Sequence, residues 1–381
     1  MLILTASVGE GHDLPARVLA EQLRAEDPEC EVVVEDGLRA MGRGFVLINE
    51  RAPGVVFFRF RWLWDAAFWL FVGLAPTRRA TQAAVRRLGS RGVLRLVEEV
   101  EPDVVVSVYP MTTEVLGGLR RRGRLRLPVV AAITDLAMMH YWAAPGIDLH
   151  LITHPESAAE VLEVAGSDAV VRAVHGLTRP EFGEPCDPVE ARKALDLPHN
   201  GKVVLVSGGG WGVGDLGKAV DQALAIDGVS VVAVLAGRNE DLRARLMRKY
   251  DDEPRCRVVG FTEQMSEWLA AGDALVHSTG GLTVLEAHVR GCPTISYGWG
   301  RGHVRAHNRA FRRFGLAQVA ATPAALRSAV TTALGQGRVA VDFSDLPSAA
   351  SFVLAEADDA RTDRPASSFV LAGADGAHAA G

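Results

Sequence analysis

Residues 5–23, TASVGEGHDLPARVLAEQL, follow directly on the apolar Leu2-Ile3-Leu4. Ala16, Leu19, Ala20 and Leu23 recur at i, i+3, i+4 and i+7, which predicts a helix with one apolar face starting near Pro15. Proline suits a first helical turn, where its missing N–H would be unpaired anyway. Gly9 and Gly11 let the backbone approach a ligand closely, and a helix N-terminus offers unpaired N–H groups to an anion. His12 is the one ionisable side chain here that changes charge near neutral pH. Taken alone, the stretch leaves two readings of His12 open, a catalytic group or a residue that only lines the turn.

Working outward, the same alternation continues. Strands are predicted at Leu2–Leu4, Glu31–Glu35, Val104–Val108, Val129–Ile133 and Leu149–Ile152, with helical stretches such as Thr81–Val100 and Glu114–Arg122 between them. That order means βαβ units on a parallel sheet. The second half repeats it with strands at Val203–Val206, Val229–Leu235, Arg257–Val259, Ala274–His277 and Thr294–Ser296. The proline- and glycine-bearing HGLTRPEFGEPCDP, His175 to Pro188, reads as the link between two Rossmann-like domains, residues 1–178 and 189–337. Residues 340–381, rich in Ala, Ser, Asp and Gly, are expected to be a disordered tail. Open α/β domains bind ligands at the C-terminal ends of their strands, so a site between the domains is expected.

A chain of 381 residues with 48% hydrophobic and 23% charged residues has a normal globular composition and suits two domains. Its net charge of −5 provides no global basic field, so no nucleic-acid partner is expected. Lysine occurs only four times, leaving arginine to carry the positive charge, and arginine grips phosphate in a bidentate way. The four cysteines are far apart, without a CxxC pair, and read as small hydrophobes in a reducing compartment, not a metal site. The N-terminus shows no basic region and cleavage site of a signal peptide.

Residues 54–76, GVVFFRFRWLWDAAFWLFVGLAP, hold 8 of the 24 aromatic residues. Arg59, Arg61 and Asp65 interrupt any membrane span. Trp64, Phe68 and Phe71 share a helical face, and Arg78, Arg79, Arg86, Arg87 and Arg91 follow, a pairing that suits an anionic bilayer interface. Trp62 and Trp69 belong to the same expected surface. A helix packed in the core, or a dimer contact, is the alternative reading.

Several chemistries lack a motif. The first glycine turn misses the third glycine of a dinucleotide fingerprint, and no P-loop lysine, HExxH or nucleophile elbow stands in context. The second domain says more. SGGGWGVGDLG, with Gly208, Gly209, Gly210, Gly212 and Gly214, links a strand to a helix as a phosphate loop does. Gly280 and Gly281 precede a helix that carries Glu286 one and a half turns in. A carboxylate so near a phosphate loop makes sense if ribose hydroxyls donate to it; a solvated helix face is the plainer reading.

VGFTEQMSEWLAAGDALVHSTGGLTVLEAHVRGCPTI, residues 259–295, resembles the nucleotide-sugar segment of inverting GT-B glycosyltransferases. It is most similar to the branch of monogalactosyldiacylglycerol synthases and processive diacylglycerol glucosyltransferases, related to the lipid II-forming N-acetylglucosaminyltransferase. TASVGEGHDLPA, PDVVVSVYP, ITDLAMMHYW and HGLTRPEF occur in the order shown by the diacylglycerol members. The resemblance implies that His12 takes the acceptor's hydroxyl proton and that Asp135 orients His12 or the acceptor, where an ordinary cap is the alternative. It further implies donor contacts at Gly11, Gly209, Gly210, Ser278, Gly280, Gly281, Thr283 and Glu286. Phe261, Thr262 and Met265 match positions that hold uracil.

In GRGHVRAHNRAFRRFG, residues 300–315, Arg305, Ala306 and His307 stand before Asn308 where the family normally carries sugar-contacting Glu or Gln. Arg305 and Asn308 are the sugar-side candidates, and an arginine there would favour an acidic sugar. Glu10 also replaces a glycine of the N-terminal loop. The resemblance thus implies a cytoplasmic, metal-independent transferase with no cofactor beyond a UDP-sugar co-substrate. It would act on a diacylglycerol-like lipid at the inner membrane face. A soluble acceptor, a UDP-sugar 2-epimerase of the same fold and an inactive sugar-nucleotide-binding homologue are the alternatives. Donor sugar and oligomeric state stay open.

Overall fold

Residues 1–6, 10–47, 69–298, 302–342 and 345–362 are described by the structure, a computed structural model. Trp62, Trp64 and Phe68 of the aromatic segment lie outside the described residues, as does the side chain of Trp69. Of that expected surface, Phe71 is exposed, as is its neighbour Leu70. No helix among the described residues is long and apolar enough to cross a membrane.

Two six-stranded parallel sheets form the frame. The first comprises β1 (Leu2–Thr5), β2 (Val33–Asp36), β3 (Val105–Ser107), β4 (Val129–Ile133), β5 (Leu149–Ile152) and β6 (Val170–Ala173), in the order β2-β1-β3-β4-β5-β6. The second comprises β7 (Lys202–Ser207), β8 (Val229–Leu235), β9 (Cys256–Val259), β10 (Ala274–His277), β11 (Thr294–Tyr297) and β12 (Gln318–Ala320), in the order β12-β11-β10-β7-β8-β9. Chain order reverses between β1 and β3 in one sheet and between β7 and β10 in the other. Crevices open at such reversals, outside the strand C-termini.

Strand periodicity explains the cores. On β1, Ile3 faces a cluster with Ala16, Leu19, Ala20 and Leu23, while Leu2 and Leu4 face Val93, Val97, Leu116 and Leu119 on the other side. Both faces are covered, so the central strands read as unbroken apolar runs. The edge strands β6 and β12 escape the sequence reading because they are short and only partly buried.

Two segments depart from expectation. The region expected to be a disordered tail contains a helix, Ala349–Thr362, whose Ala349, Ala350, Val353 and Ala357 are fully buried against the first domain's core. An alanine-rich stripe hides its amphipathicity in a composition that suggests disorder. Residues 363–381 lie outside the described residues. The link is also tied down. Phe182 is buried in the second domain under Arg290, whose guanidinium carbon stands 5.3 Å from the ring centroid. Where the chain leaves and re-enters the first domain, the His175 N–H donates to the Pro347 carbonyl (3.1 Å) and the Ala349 N–H to the His175 carbonyl (3.0 Å). The two crossings therefore share one joint.

Candidate active site between the domains

The helix after β1 starts at Glu10, five residues before the expected start, so Pro15 sits in its second turn. A residue at position 15 would ordinarily donate its N–H to the carbonyl of Gly11, and proline has none. Thr134, just past β4, donates its hydroxyl to that carbonyl instead, at 3.2 Å. This ties the His12 turn to the end of β4. The imidazole of His12 meets the ring of Tyr109 edge-on (centroids 4.9 Å apart) and that of Trp142 at 5.4 Å. Two aromatic walls thus hold a group that the sequence left between a catalytic and a lining role. Asp13, its neighbour, accepts from the Thr5 hydroxyl at 2.9 Å.

Asp135 caps its own turn, the plainer of the two readings of it. Its Oδ1 accepts the N–H groups of Leu136 (2.7 Å) and Ala137 (3.4 Å), capping its own turn. The same oxygen hydrogen-bonds Nε2 of His307, from the second domain. His307 is 2% exposed. Beside it, His154 Nε2 lies 3.1 Å from the carbonyl of Gly281, and Leu136 packs among Val284, Ala310, Phe311 and Leu316. The domains therefore touch at the start of helix Gly281–Val289.

The nucleotide-side candidates gather at the reversal of the second sheet. Gly209 adopts φ +68°, a conformation favoured by glycine, and an added Cβ would lie 3.0 Å from the Thr279 methyl. Gly210 accepts the Arg238 N–H at 2.8 Å. Ser278 donates to the Tyr297 carbonyl at 2.5 Å, fixing the loop before Gly280 and Gly281, while Thr283 lies half-buried in the first turn of the helix. Further along the sheet edge, Phe261 is exposed, with the Arg238 guanidinium carbon 3.7 Å from its centroid. Thr262 Oγ1 accepts the Gln264 N–H at 3.1 Å, and Met265 packs on the domain core.

Glu286 is not on a solvated face. It is 8% exposed, and burial pushes its carboxyl up to about 7, partly offset by Arg179. No hydrogen bond or ion pair within the described residues satisfies the carboxyl. The buried imidazoles His154 and His277 are driven down to about 4 and about 3 by desolvation, so both are neutral at physiological pH.

On helix Gly302–Phe314 the sequence candidates divide. Asn308 is buried and accepts from the Ser296 hydroxyl at 2.6 Å, so it braces β11. Arg305 is exposed. Residues two positions apart on a helix stand about 200° apart around its axis, so the side that buries His307 turns Arg305 outward. His307, His154 and Arg238 were missed as site residues. The signal for His307 was its place in the stretch where the family carries an acid or amide; nothing local marks the other two.

Comparisons with known proteins agree with this architecture. The monogalactosyldiacylglycerol (MGDG) synthase family matches residues 69–176. The chain is 23% identical to a processive diacylglycerol beta-glucosyltransferase of Bacillus pumilus (strain SAFR-032) over 325 residues, covering 84% of this chain and 82% of the relative. It is 29% identical to a probable monogalactosyldiacylglycerol synthase 2 of Oryza sativa subsp. japonica over 311 residues, covering 77% and 65% respectively. Among solved structures, spinosyn rhamnosyltransferase SpnG complexed with thymidine diphosphate superposes with a TM-score of 0.54 at 17% identity, covering 95% of this chain and 96% of that one. UGT71G1 of Medicago truncatula complexed with UDP-glucose gives 0.53 at 12%, covering 94% and 93%. By sequence and fold together, the chain is a relative of the monogalactosyldiacylglycerol synthases and processive diacylglycerol glucosyltransferases, built on the two-domain GT-B glycosyltransferase fold.

Proposed function

We propose that the protein transfers a hexosyl group from a UDP-sugar to a diacylglycerol-like lipid with inversion at the anomeric carbon and without a metal. The observation that carries this reading is the bonded path from the His12 turn to the nucleotide loops: Gly11 to Thr134, then from neighbouring Asp135 to His307 beside Gly280. It supports a reading in which a group able to accept a proton works beside N–H donors suited to an anion.

In this reading His12 takes the proton of the acceptor hydroxyl as its oxygen bonds to the anomeric carbon. The bond from that carbon to the diphosphate breaks on the opposite side, and UDP leaves. Its growing negative charge falls to the N–H groups of the Gly209–Gly210 turn and of helix Gly281–Val289, whose dipole favours an anion. Glu286, buried and without a hydrogen-bond partner among the described residues, is suited to accept from the ribose hydroxyls. Phe261 and Thr262 offer an aromatic wall and a fixed turn for the base. The acceptor would arrive from a membrane. Support for that is the lipid named in the relatives and helix Ala75–Val100, which exposes Arg79, Arg87, Arg91 and Arg95 at multiples of four residues. The inner membrane face and a cytoplasmic setting belong to the same proposal.

The test is to incubate the protein with radiolabelled UDP-glucose and UDP-galactose and vesicles containing diacylglycerol. The expected result is a labelled glycolipid whose anomeric proton coupling shows a β linkage from an α donor. An interconverted UDP-sugar, or binding without turnover, overturns the proposal.

A further inference from the structure

We propose that His307 is a positioning residue: through Asp135 it latches the nucleotide domain onto the acceptor domain over the donor site. The inference rests on the glycosyl-transfer reading for its purpose, but the latch stands on contacts of its own.

Three elements meet at one point. Asp135 closes β4 of the first domain, His307 comes from helix Gly302–Phe314, and Gly280 starts helix Gly281–Val289. A Cβ added at Gly280 would lie 3.1 Å from His307 Nε2 and 3.7 Å from Asp135 Oδ1. The pair therefore lies directly over the helix N-terminus that offers its N–H groups to an anion. Both side chains are well shielded, His307 at 2% and Asp135 at 14% exposure, and a hydrogen bond in such surroundings outweighs an exposed one.

Leu136 is buried in a small cluster supplied by the second domain, and His154 meets the Gly281 carbonyl. The two chain crossings pair with each other at His175 and Ser348, a joint about which the domains can turn. His307 faces His277 across Phe311, with ring centroids 5.8 and 5.6 Å from the phenyl ring. These neighbours hold the imidazole in one orientation, aimed at the opposite domain. Because Thr134, the residue before Asp135, holds the His12 turn, closing the latch also sets the proton acceptor against the donor. Opening it uncovers the diphosphate for entry and release.

The experiment compares wild type with His307→Phe, which keeps bulk and loses the bond, and His307→Gln, whose amide nitrogen still donates. Spin labels on unnatural ketone residues at exposed positions 167 and 241, one per domain, report the interdomain distance without ligand. Stopped-flow release of UDP reports the gate. We expect a narrow distance distribution in wild type and His307→Gln, a longer and broader one in His307→Phe, and UDP release about tenfold faster in His307→Phe alone. Wild-type distances and release rates in His307→Phe overturn the latch. Should His307→Phe fail to fold, Asp135→Leu removes the same bond from the opposite domain and must give the same opening. If UDP does not bind wild type at all, the donor reading fails while the distance measurement still decides the latch.

Discussion

Thr134 donates its hydroxyl to the carbonyl of Gly11 across 3.2 Å, and that carbonyl is available because Pro15, four residues on, has no N–H to give it. A helix irregularity thereby becomes a tether between His12 and the strand end that carries Asp135. Thr134→Val keeps shape and removes the bond. We expect transfer to fall about fivefold, in line with the roughly 1 kcal/mol worth of one neutral hydrogen bond, with UDP affinity unchanged. Kinetics beside calorimetric UDP titration check this, and a variant with wild-type turnover would remove the tether from the mechanism.

His12→Gln preserves much of the volume between Tyr109 and Trp142 but cannot accept a proton. The expected loss is roughly two to four orders of magnitude in transfer, with UDP binding close to wild type. Near-normal turnover would return His12 to a lining role.

Glu286 has a sign that is open to measurement. Its folded carboxyl sits near 7 against an ordinary value of 4.5, so between these values the native state keeps a proton that the unfolded chain has released. Stability therefore falls as pH rises through that window, and Glu286→Gln abolishes this contribution. Urea unfolding should find the variant more stable than wild type at pH 8, by on the order of 2–3 kcal/mol, and similar at pH 4.5. UDP affinity should drop in the same variant. Parallel slopes in the two proteins would mean that Glu286 is not a buried, neutral acid.

On helix Ala75–Val100, replacing Arg79, Arg87, Arg91 and Arg95 together with Gln should leave the fold intact, since all four are exposed. Binding to anionic vesicles should fall steeply, and its salt dependence should flatten, because exposed charges are screened over about 8–10 Å at physiological ionic strength. Any binding that survives high salt is apolar in origin and is assigned by replacing Trp62, Trp64, Phe68, Trp69 and Phe71 with Ser. Co-sedimentation at low and high salt separates the two. A wild type that ignores vesicles would count against a membrane-borne acceptor.

What the sequence determined by itself is local. Leu2-Ile3-Leu4 ahead of a glycine turn, the valine runs of β3, β4 and β7, and the helix face of Ala16, Leu19, Ala20 and Leu23 each carry their period within a dozen residues, so the two parallel sheets were legible. The glycine loops and His12 were legible for the same reason: they sit where a strand becomes a helix. What only the tertiary structure decided depends on residues far apart in the chain. His307 and Asp135 are 172 positions apart, and His154 and Gly281 127. Glu286 reads as one more helix glutamate until the tertiary fold buries it beside the link that carries Arg179. Helix Ala349–Thr362 finds its stability only against a core laid down by residues 1–32 and 104–177. Local periodicity records which face of an element is apolar; burial, and the charge states and hydrogen bonds that follow from it, depends on what the fold brings against that face.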